Sequence, residues 1–113
     1  MSDVPTVFFL DWDVDYDQVK DTFLFFRLEQ YLVETGGYAW IRRSPHGNTH
    51  VMVLLPFHLN TLEVFMARAY LGDDPFRIAL DLKRMREGGA YDRLFDTKVV
   101  NGKTLHAGEW VAI

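Results

Sequence analysis

The sequence predicts an α+β fold in which β-strands alternate with helices. Short runs rich in Val, Phe and Leu alternate with longer segments in which apolar residues recur every three or four positions, and Gly, Pro, Asn or Asp separate them. The predicted order is strand, helix, strand, strand, helix, helix, strand, strand, which contains the βαββαβ unit of ferredoxin-like and RRM-like domains. We therefore expect residues 1–113 to form one such domain, with an extra helix and a C-terminal β-hairpin.

The first half of the chain predicts a strand, a helix and a hairpin. Its predicted elements are a strand at 7–10, a helix from Asp15 to Gly36, and strands at 38–43 and 49–55. Asp15 with Gln18 at the capping-box offset predicts the helix start, and Gly36-Gly37 predicts its end. Residues 44–48 have turn chemistry and join the last two strands.

The second half predicts two helices and a hairpin. Its predicted elements are helices at 60–72 and 74–88 and strands at 93–100 and 103–113. Asn60 with Glu63 three residues later predicts one helix start, and Asp74 before Pro75 predicts the other. Asn101-Gly102 is a strong signal for a tight turn between the last two strands.

Each predicted helix carries an apolar stripe that we expect to pack on the sheet. The stripes are Val19, Phe23, Phe26, Leu28 and Leu32 in the first helix, Leu62, Phe65, Met66 and Ala69 in the second, and Ile78, Leu82 and Met85 in the third. One sheet face should receive these helices. The opposite face would hold Val7, Phe9, Met52 and Leu54, and it is too apolar to remain bare.

Composition and charge exclude several function classes. The 113 residues are 49% hydrophobic and include no cysteine, which excludes disulfide scaffolds, zinc ribbons, iron–sulfur clusters and thiol nucleophiles. The net charge is −4, but residues 1–21 alone hold six Asp and one Lys, and the rest of the chain is nearly balanced. Such an acidic focus is usually a solvated surface and less often a cation site.

No targeting or membrane segment is predicted. The N-terminal residues carry no basic region, and no apolar run approaches the roughly 20 residues that a membrane span needs. We therefore expect a soluble cytoplasmic protein without a membrane partner.

Asp11 and Asp13 form the first candidate site. Because side chains alternate along a strand, both carboxylates project from one face at the end of the first strand. Such a pair can hold one or two divalent cations and present them to phosphate oxygens. The alternative interpretation is a strand end with solvated acids.

The hairpin turn around residues 42–50 forms the second candidate site. Two arginines, Ser44 and two imidazoles offer donors for phosphate oxygens, and the turn glycine lets main-chain N–H groups approach a ligand. The alternatives are an exposed polar loop and, for His50, a histidine satisfied within the core.

Together the two candidates resemble a known catalytic core. The motifs are Leu10-Asp11-Trp12-Asp13, a helix, Trp40-Ile41-Arg42-Arg43-Ser44 and, six residues after that serine, His50-Val51-Met52-Val53. The order of these motifs resembles the core of archaeo-eukaryotic primases and primase-polymerases (PrimPol). The resemblance covers residues 7–55. It implies a palm domain that performs two-metal nucleotidyl transfer in nucleic-acid replication.

The resemblance also implies a role for each matching residue. Asp11 and Asp13 would be catalytic and bind Mg²⁺ or Mn²⁺, while Ser44 and His50 would contact the triphosphate of a nucleoside triphosphate, with Arg43 assisting.

A third catalytic carboxylate would follow the hairpin. Asp81 is the preferred match, and Asp96, on the last predicted strand before the Asn-Gly turn, is the alternative. Arg77 and Arg84 lie one helical turn from Asp81, so a surface ion pair on a helix explains Asp81 equally well.

Partners follow from the charge and from the apolar sheet face. A net charge of −4 argues against tight independent nucleic-acid binding, so a single-stranded DNA or RNA template would be held weakly unless a replication protein assists. The apolar face could be covered by the C-terminal hairpin or by a second copy in a homodimer.

Two other functions compete with the primase interpretation. One is a non-catalytic ferredoxin-like module for binding or assembly. The other is a replication initiator of the HUH type, whose hallmark of two histidines separated by one apolar residue is incomplete here, since Asn48-Thr49-His50 lacks the first histidine.

Overall fold

The structure is a computed structural model that describes residues 4–113. Asp3, the first acid of the N-terminal stretch, lies outside the described residues. The elements are β1 (Thr6–Trp12), a 3-10 helix (Tyr16–Asp21), α1 (Phe23–Thr35), β2 (Tyr38–Arg43), β3 (Thr49–Leu55), α2 (Thr61–Tyr70), α3 (Pro75–Arg86), β4 (Thr97–Val100), β5 (Lys103–His106) and β6 (Val111–Ala112). None of the helices in this part of the chain is long and apolar enough to cross a membrane.

The main sheet is antiparallel and has the strand order β1-β3-β2-β6. Strands β4 and β5 pair with each other in a separate two-stranded sheet. The predicted α+β class is therefore present, and the strand–helix–hairpin order of residues 6–55 is as predicted. The strand that follows the last helix does not extend the main sheet; instead β6 joins that sheet beside β2.

The helix expected from Asp15 to Gly36 is interrupted at Thr22. Asp15 accepts a hydrogen bond from the Asp17 N–H and caps only the 3-10 helix, while extended Thr22 is the N-cap of α1. This break shifts the buried face of α1. Phe25 is buried, whereas Phe23, which the predicted stripe places in the core, is 69% exposed.

The caps of α2 and α3 are as predicted. Asn60 and Glu63 exchange both hydrogen bonds of a capping box, and Asp74 caps α3 with Pro75 in its first turn. The predicted stripes are wrong in part, because Leu62 and Met66 of α2 and Leu82 and Met85 of α3 are exposed. The buried positions are instead Phe65 and Arg68 of α2 and Asp81 of α3.

The C-terminal hairpin is present but shorter than predicted. Asn101 and Gly102 both have positive φ, 51° and 76°, as a two-residue turn of this kind requires. Strand β4 begins at Thr97, and the predicted strand 103–113 is broken after His106, so that its last part can pair with β2.

The two faces of the main sheet differ in burial. Phe8, Leu10, Val51 and Val53 are fully buried beneath the helices, as expected from the alternation along the strands. On the other face the ring of Trp110, just before β6, lies 6.2 Å from the ring of Phe9. The C-terminal segment therefore covers part of the apolar face that the sequence predicts.

The outer edge of β1 is closed by side chains rather than by a strand. We call Arg68, Asp73, Arg77, Asp81 and Asp92 the arginine–aspartate cluster. Asp92 Oδ2 accepts a hydrogen bond from the Phe9 N–H, Asp73 Oδ1 accepts one from the Asp11 N–H, and Arg77 donates to the Phe9 carbonyl. The cluster thus satisfies main-chain groups that another strand would pair in a wider sheet.

Arg68 is the centre of this cluster and is 0% exposed. Its Nε lies 2.7 Å from Asp73 Oδ2, and its Nη2 lies 2.8 Å from Asp81 Oδ2. Burial alone would lower the pKa of Arg68, but the hydrogen bond and attraction to Asp73 outweigh burial and raise it. The guanidinium stays charged and holds α2, α3 and the preceding loop against β1.

Replacing Arg68 with Met should destabilise the fold by about 3–5 kcal/mol, because buried carboxylates would lose their cation. Urea unfolding followed by circular dichroism measures this loss. Arg86→Met, at an exposed position in the last turn of α3, is the control and should leave the midpoint nearly unchanged. Equal midpoints for the two variants would refute a central role for Arg68.

Candidate functional site

A cleft of about 790 Å³ receives most of the predicted site residues. Asp11, Asp13, Ser44, His50 and Asp81 all line it. Its opposite wall comes from α3 and from residues 93–98. Arg43 and Asp96 are not among the residues that line it.

Three polar side chains form a row across the sheet at the base of the cleft. Asp11 is paired with His50, and His50 with Arg42, in the register of β1, β3 and β2. Arg42 Nε donates a hydrogen bond of 3.1 Å to His50 Nδ1. In a neutral imidazole the proton must then sit on Nε2, so His50 presents an N–H donor toward the carboxylate side of the row.

The imidazole of His50 is held neutral. Only 4% of the residue is exposed, and burial, together with the charges of Arg42 and Arg77, lowers its pKa from 6.5 to about 4. Its Nε2 lies 4.0 Å from Asp11 Oδ1, which is too long for a hydrogen bond. The N–H group is therefore available to another acceptor in the cleft.

Arg42 is fixed in place by groups from the C-terminal part of the chain. Its guanidinium lies 4.5 Å from the centre of the Trp110 ring, and Nη1 lies 2.8 Å from Asp96 Oδ1. Arg42 itself is buried. The orientation of His50 thus depends on Asp96 and Trp110, which lie 46 and 60 positions later in the sequence.

Arg43, the predicted assistant in nucleotide binding, extends to the opposite side of the sheet. Its Nη2 lies 2.6 Å from Asp17 Oδ1, and its guanidinium lies 5.1 Å from the centre of the Tyr16 ring. Neighbouring residues on a strand point to opposite faces, so only one of the two arginines can share a face with His50. The structure gives that position to Arg42, because the register of β2 and β3 pairs Arg42 with His50.

Asp11 lies in a locally acidic environment. Its main-chain N–H is held by Asp73, and its side chain is about one-third exposed at 38%. Burial raises the pKa of Asp11; Arg77 lowers it, and the charges of Asp73, Asp74 and Asp13 raise it further. The acids around Asp11 therefore outnumber the cations that act on it.

Asp13 and the hairpin turn are joined at the mouth of the cleft. Asn48 Nδ2 donates a 2.9 Å hydrogen bond to Asp13 Oδ1. The N–H groups of Ser44 and Gly47 are used within the turn, at 2.8 and 2.9 Å from the carbonyls of Asn48 and Ser44. Because both N–H groups already donate within the turn, neither is free to bind a ligand. Within residues 4–113 the Ser44 hydroxyl has no hydrogen-bond partner.

Both candidates for a third carboxylate are engaged by arginines. Asp81 lines the cleft, yet its side chain is almost fully buried, and it binds Arg68 at 2.8 Å and the Asp92 N–H at 3.1 Å. Asp96 is exposed and binds Arg42 at 2.8 Å. The role of either as a metal ligand stays a prediction.

The chemistry of the Asp11–Asp13 pair fits a divalent cation. Carboxylate oxygens are the ligands that Mg²⁺ and Mn²⁺ prefer, and the excess of acids around Asp11 would be offset by a cation. His50 does not fit as a further ligand, because its outward nitrogen carries the proton. Within residues 4–113, no group of three or more His, Asp or Glu side chains is arranged as a metal site.

Comparisons with known proteins add no relative. No protein-family model matches the chain, and neither do curated proteins or solved structures.

The tautomer of His50 can be measured directly in the metal-free protein. We expect ¹⁵N NMR to find the proton on Nε2 and to follow protonation of the ring only near pH 4. Arg42→Gln should raise the pKa of His50, since it removes a nearby positive charge. Arg43→Gln changes a neighbour on the other face and should leave the pKa unchanged; a similar shift in both variants would contradict the assigned contact.

The stability of the fold should also depend on His50 in acid. Because the pKa of His50 is about 4 in the folded chain and 6.5 ordinarily, the unfolded state takes up the proton first as the pH falls. This stabilisation is complete above about pH 6.5, declines below it, and is lost by about pH 4, a total of about 3 kcal/mol. Urea unfolding from pH 7 to 4 should therefore show a steeper loss for the wild type than for His50→Gln; parallel curves would disprove it.

Proposed function

We propose that the chain is a primase-like nucleotidyltransferase with a ferredoxin-like palm. In this proposal it uses Mg²⁺ or Mn²⁺ to bind a nucleoside triphosphate and to start or extend a nucleic-acid primer. The observation that carries the proposal is the convergence of Asp11, Asp13, Ser44 and His50, from the end of β1 and from the β2–β3 hairpin, on one cleft. This is the arrangement that the resemblance to primases implies.

Asp11 and Asp13 would hold the divalent cation. The bound cation would neutralise phosphate charge and lower the pKa of an attacking hydroxyl. The pair is suited to this task because Asp11 keeps part of its surface open to the cleft and its main chain is anchored by Asp73. Asp11 is thus held within β1, and Asp13, the residue that follows the strand, is held by the hydrogen bond from Asn48.

His50 and Ser44 would hold the triphosphate. The neutral His50 ring donates one hydrogen bond from Nε2, and its direction is fixed by Arg42 before the nucleotide arrives. The Ser44 hydroxyl is a second donor. In this proposal Arg42 does not touch the nucleotide; it is a positioning residue that acts through His50.

A replicative role would also require a template and partners. We propose that the chain acts in the cytoplasm with a single-stranded template, and that a replication protein or a second copy of the chain adds affinity. The net charge of −4 favours this dependence on a partner.

The double variant Asp11→Asn/Asp13→Asn should abolish Mn²⁺-dependent binding of nucleoside triphosphates. The amides keep the shape of the carboxylates but lose the charges that a divalent cation needs. Isothermal titration calorimetry with ATP or dATP, with and without Mn²⁺, measures the effect, and incorporation of labelled nucleotide onto a primed template tests catalysis.

The control is Asp17→Asn/Asp21→Asn, which removes the same charge from the same acidic stretch but outside the cleft. It should bind nucleotide as the wild type does. Equal binding by both double variants would overturn the proposed metal pair. Nucleotide binding without incorporation would instead favour a non-catalytic binding module.

A further inference from the structure

We propose that single-stranded nucleic acid lies along the wall of the cleft that faces the carboxylates. This inference rests on the proposed function and names the surface that would take the strand. We call this surface the strand wall and define it by residues that all line the cleft: Phe76, Leu80, Arg84, Arg93, Phe95 and Lys98.

Two phenylalanines of the strand wall are exposed to an unusual degree. Phe76 in the first turn of α3 is 81% exposed, and Phe95, just before β4, is 77% exposed. Within residues 4–113 neither ring packs against another aromatic ring or an arginine. Exposed rings beside a groove are the platforms on which unpaired bases stack.

The charges of the strand wall fit a phosphate backbone. Within residues 4–113 Arg93 and Lys98 have no ion-pair partner, and Arg84 reaches only Asp81, at 3.7 Å. The two acids nearest in sequence are already engaged, Asp92 with Arg77 and Asp96 with Arg42. Two acids also line this side of the cleft: Asp81, which is paired with Arg68, and Asp74, which adjoins Phe76. Arg84, Arg93 and Lys98 outnumber them, so this side carries more positive than negative charge although the chain as a whole carries −4.

The opposite wall restricts what the occupant can be. Asp11 and Asp13 face the same cleft and repel anions in the absence of a cation. A membrane or an acidic protein surface is broad and would meet both walls, whereas a single strand is narrow enough to follow one wall. A duplex keeps its bases stacked and cannot use the two rings.

The strand can be detected without metal or nucleotide. The measurement is fluorescence anisotropy of fluorescein-labelled oligo(dT) and oligo(U) of about 20 nucleotides, long enough for one to several binding sites, at low salt. We expect Phe76→Ala/Phe95→Ala to weaken binding by at least about tenfold, since each stacked base contributes strongly to affinity. Arg93→Glu/Lys98→Glu should weaken binding and also reduce the dependence of affinity on salt.

Two matched variants are the controls. Phe23→Ala/Phe26→Ala removes two exposed rings of α1, and Lys20→Glu/Lys103→Glu reverses two exposed charges; all four residues lie outside the cleft. Both should bind the oligonucleotides as the wild type does. Circular dichroism checks that every variant remains folded. We expect this because the substituted side chains are not buried in the core.

Three results would overturn the strand wall. They are no binding of either oligonucleotide at low salt, equal losses in the cleft and control variants, or binding of a duplex or of anionic phospholipid vesicles as tight as that of the oligonucleotides. A wild-type chain that binds nucleotide with Mn²⁺ but does not bind either oligonucleotide would count against this inference and leave the proposed function standing. Strand binding that needs Phe76 and Phe95, in a chain that binds no nucleotide, would uphold the strand wall and count against the proposed catalysis.

Discussion

The buried charge of Arg68 is the constraint on which the rest of the structure depends. A guanidinium without water requires carboxylates around it, and Asp73 and Asp81 meet that need from the loop before α3 and from α3 itself. Asp73 also accepts the Asp11 N–H, so the same network that encloses Arg68 fixes the position of Asp11. Helix packing and site geometry are therefore parts of one electrostatic arrangement.

The same arrangement gives the cleft two walls of opposite charge. Acids at the end of β1 face a basic surface on α3 and residues 93–98, while the neutral ring of His50 lies at the base. Arg77 and Arg42, which lie near Asp11 and His50, are already paired with Asp73 and Asp96. Each wall can therefore recognise a different part of one ligand.

Much of the local structure was predictable from the sequence, because caps and turns depend on neighbouring residues. The capping box of Asn60, the Asp74-Pro75 start of α3 and the Asn101-Gly102 turn depend on their own side chains and backbone preferences. The period of two likewise predicted which face of β1 carries Asp11.

The buried faces of the helices were not predictable in the same way. An apolar stripe was expected on α3, but the buried residue is Asp81, which is paired with an arginine of another helix. Hydrophobic periodicity carries no information about such a pair, since both partners look like surface residues in a sequence. Similarly, the choice of Arg42 over Arg43 required the strand register, and the contact of Arg42 with Trp110 joins distant parts of the chain.

The shortness of strand β6, which has two residues, affects how long the Arg42–His50 contact persists. Val111 and Ala112 pair with β2, the N–H groups of Gly108 and Ile113 donate to the carbonyls of Arg43 and Ala39, and such short edge pairings open more often than the centre of a sheet. Each opening would lift Trp110 away from Arg42 and let water reach the guanidinium. The lifetime of the His50 donor geometry would then depend on how often β6 opens, so a partner that binds this edge of the sheet would stabilise the site from a distance.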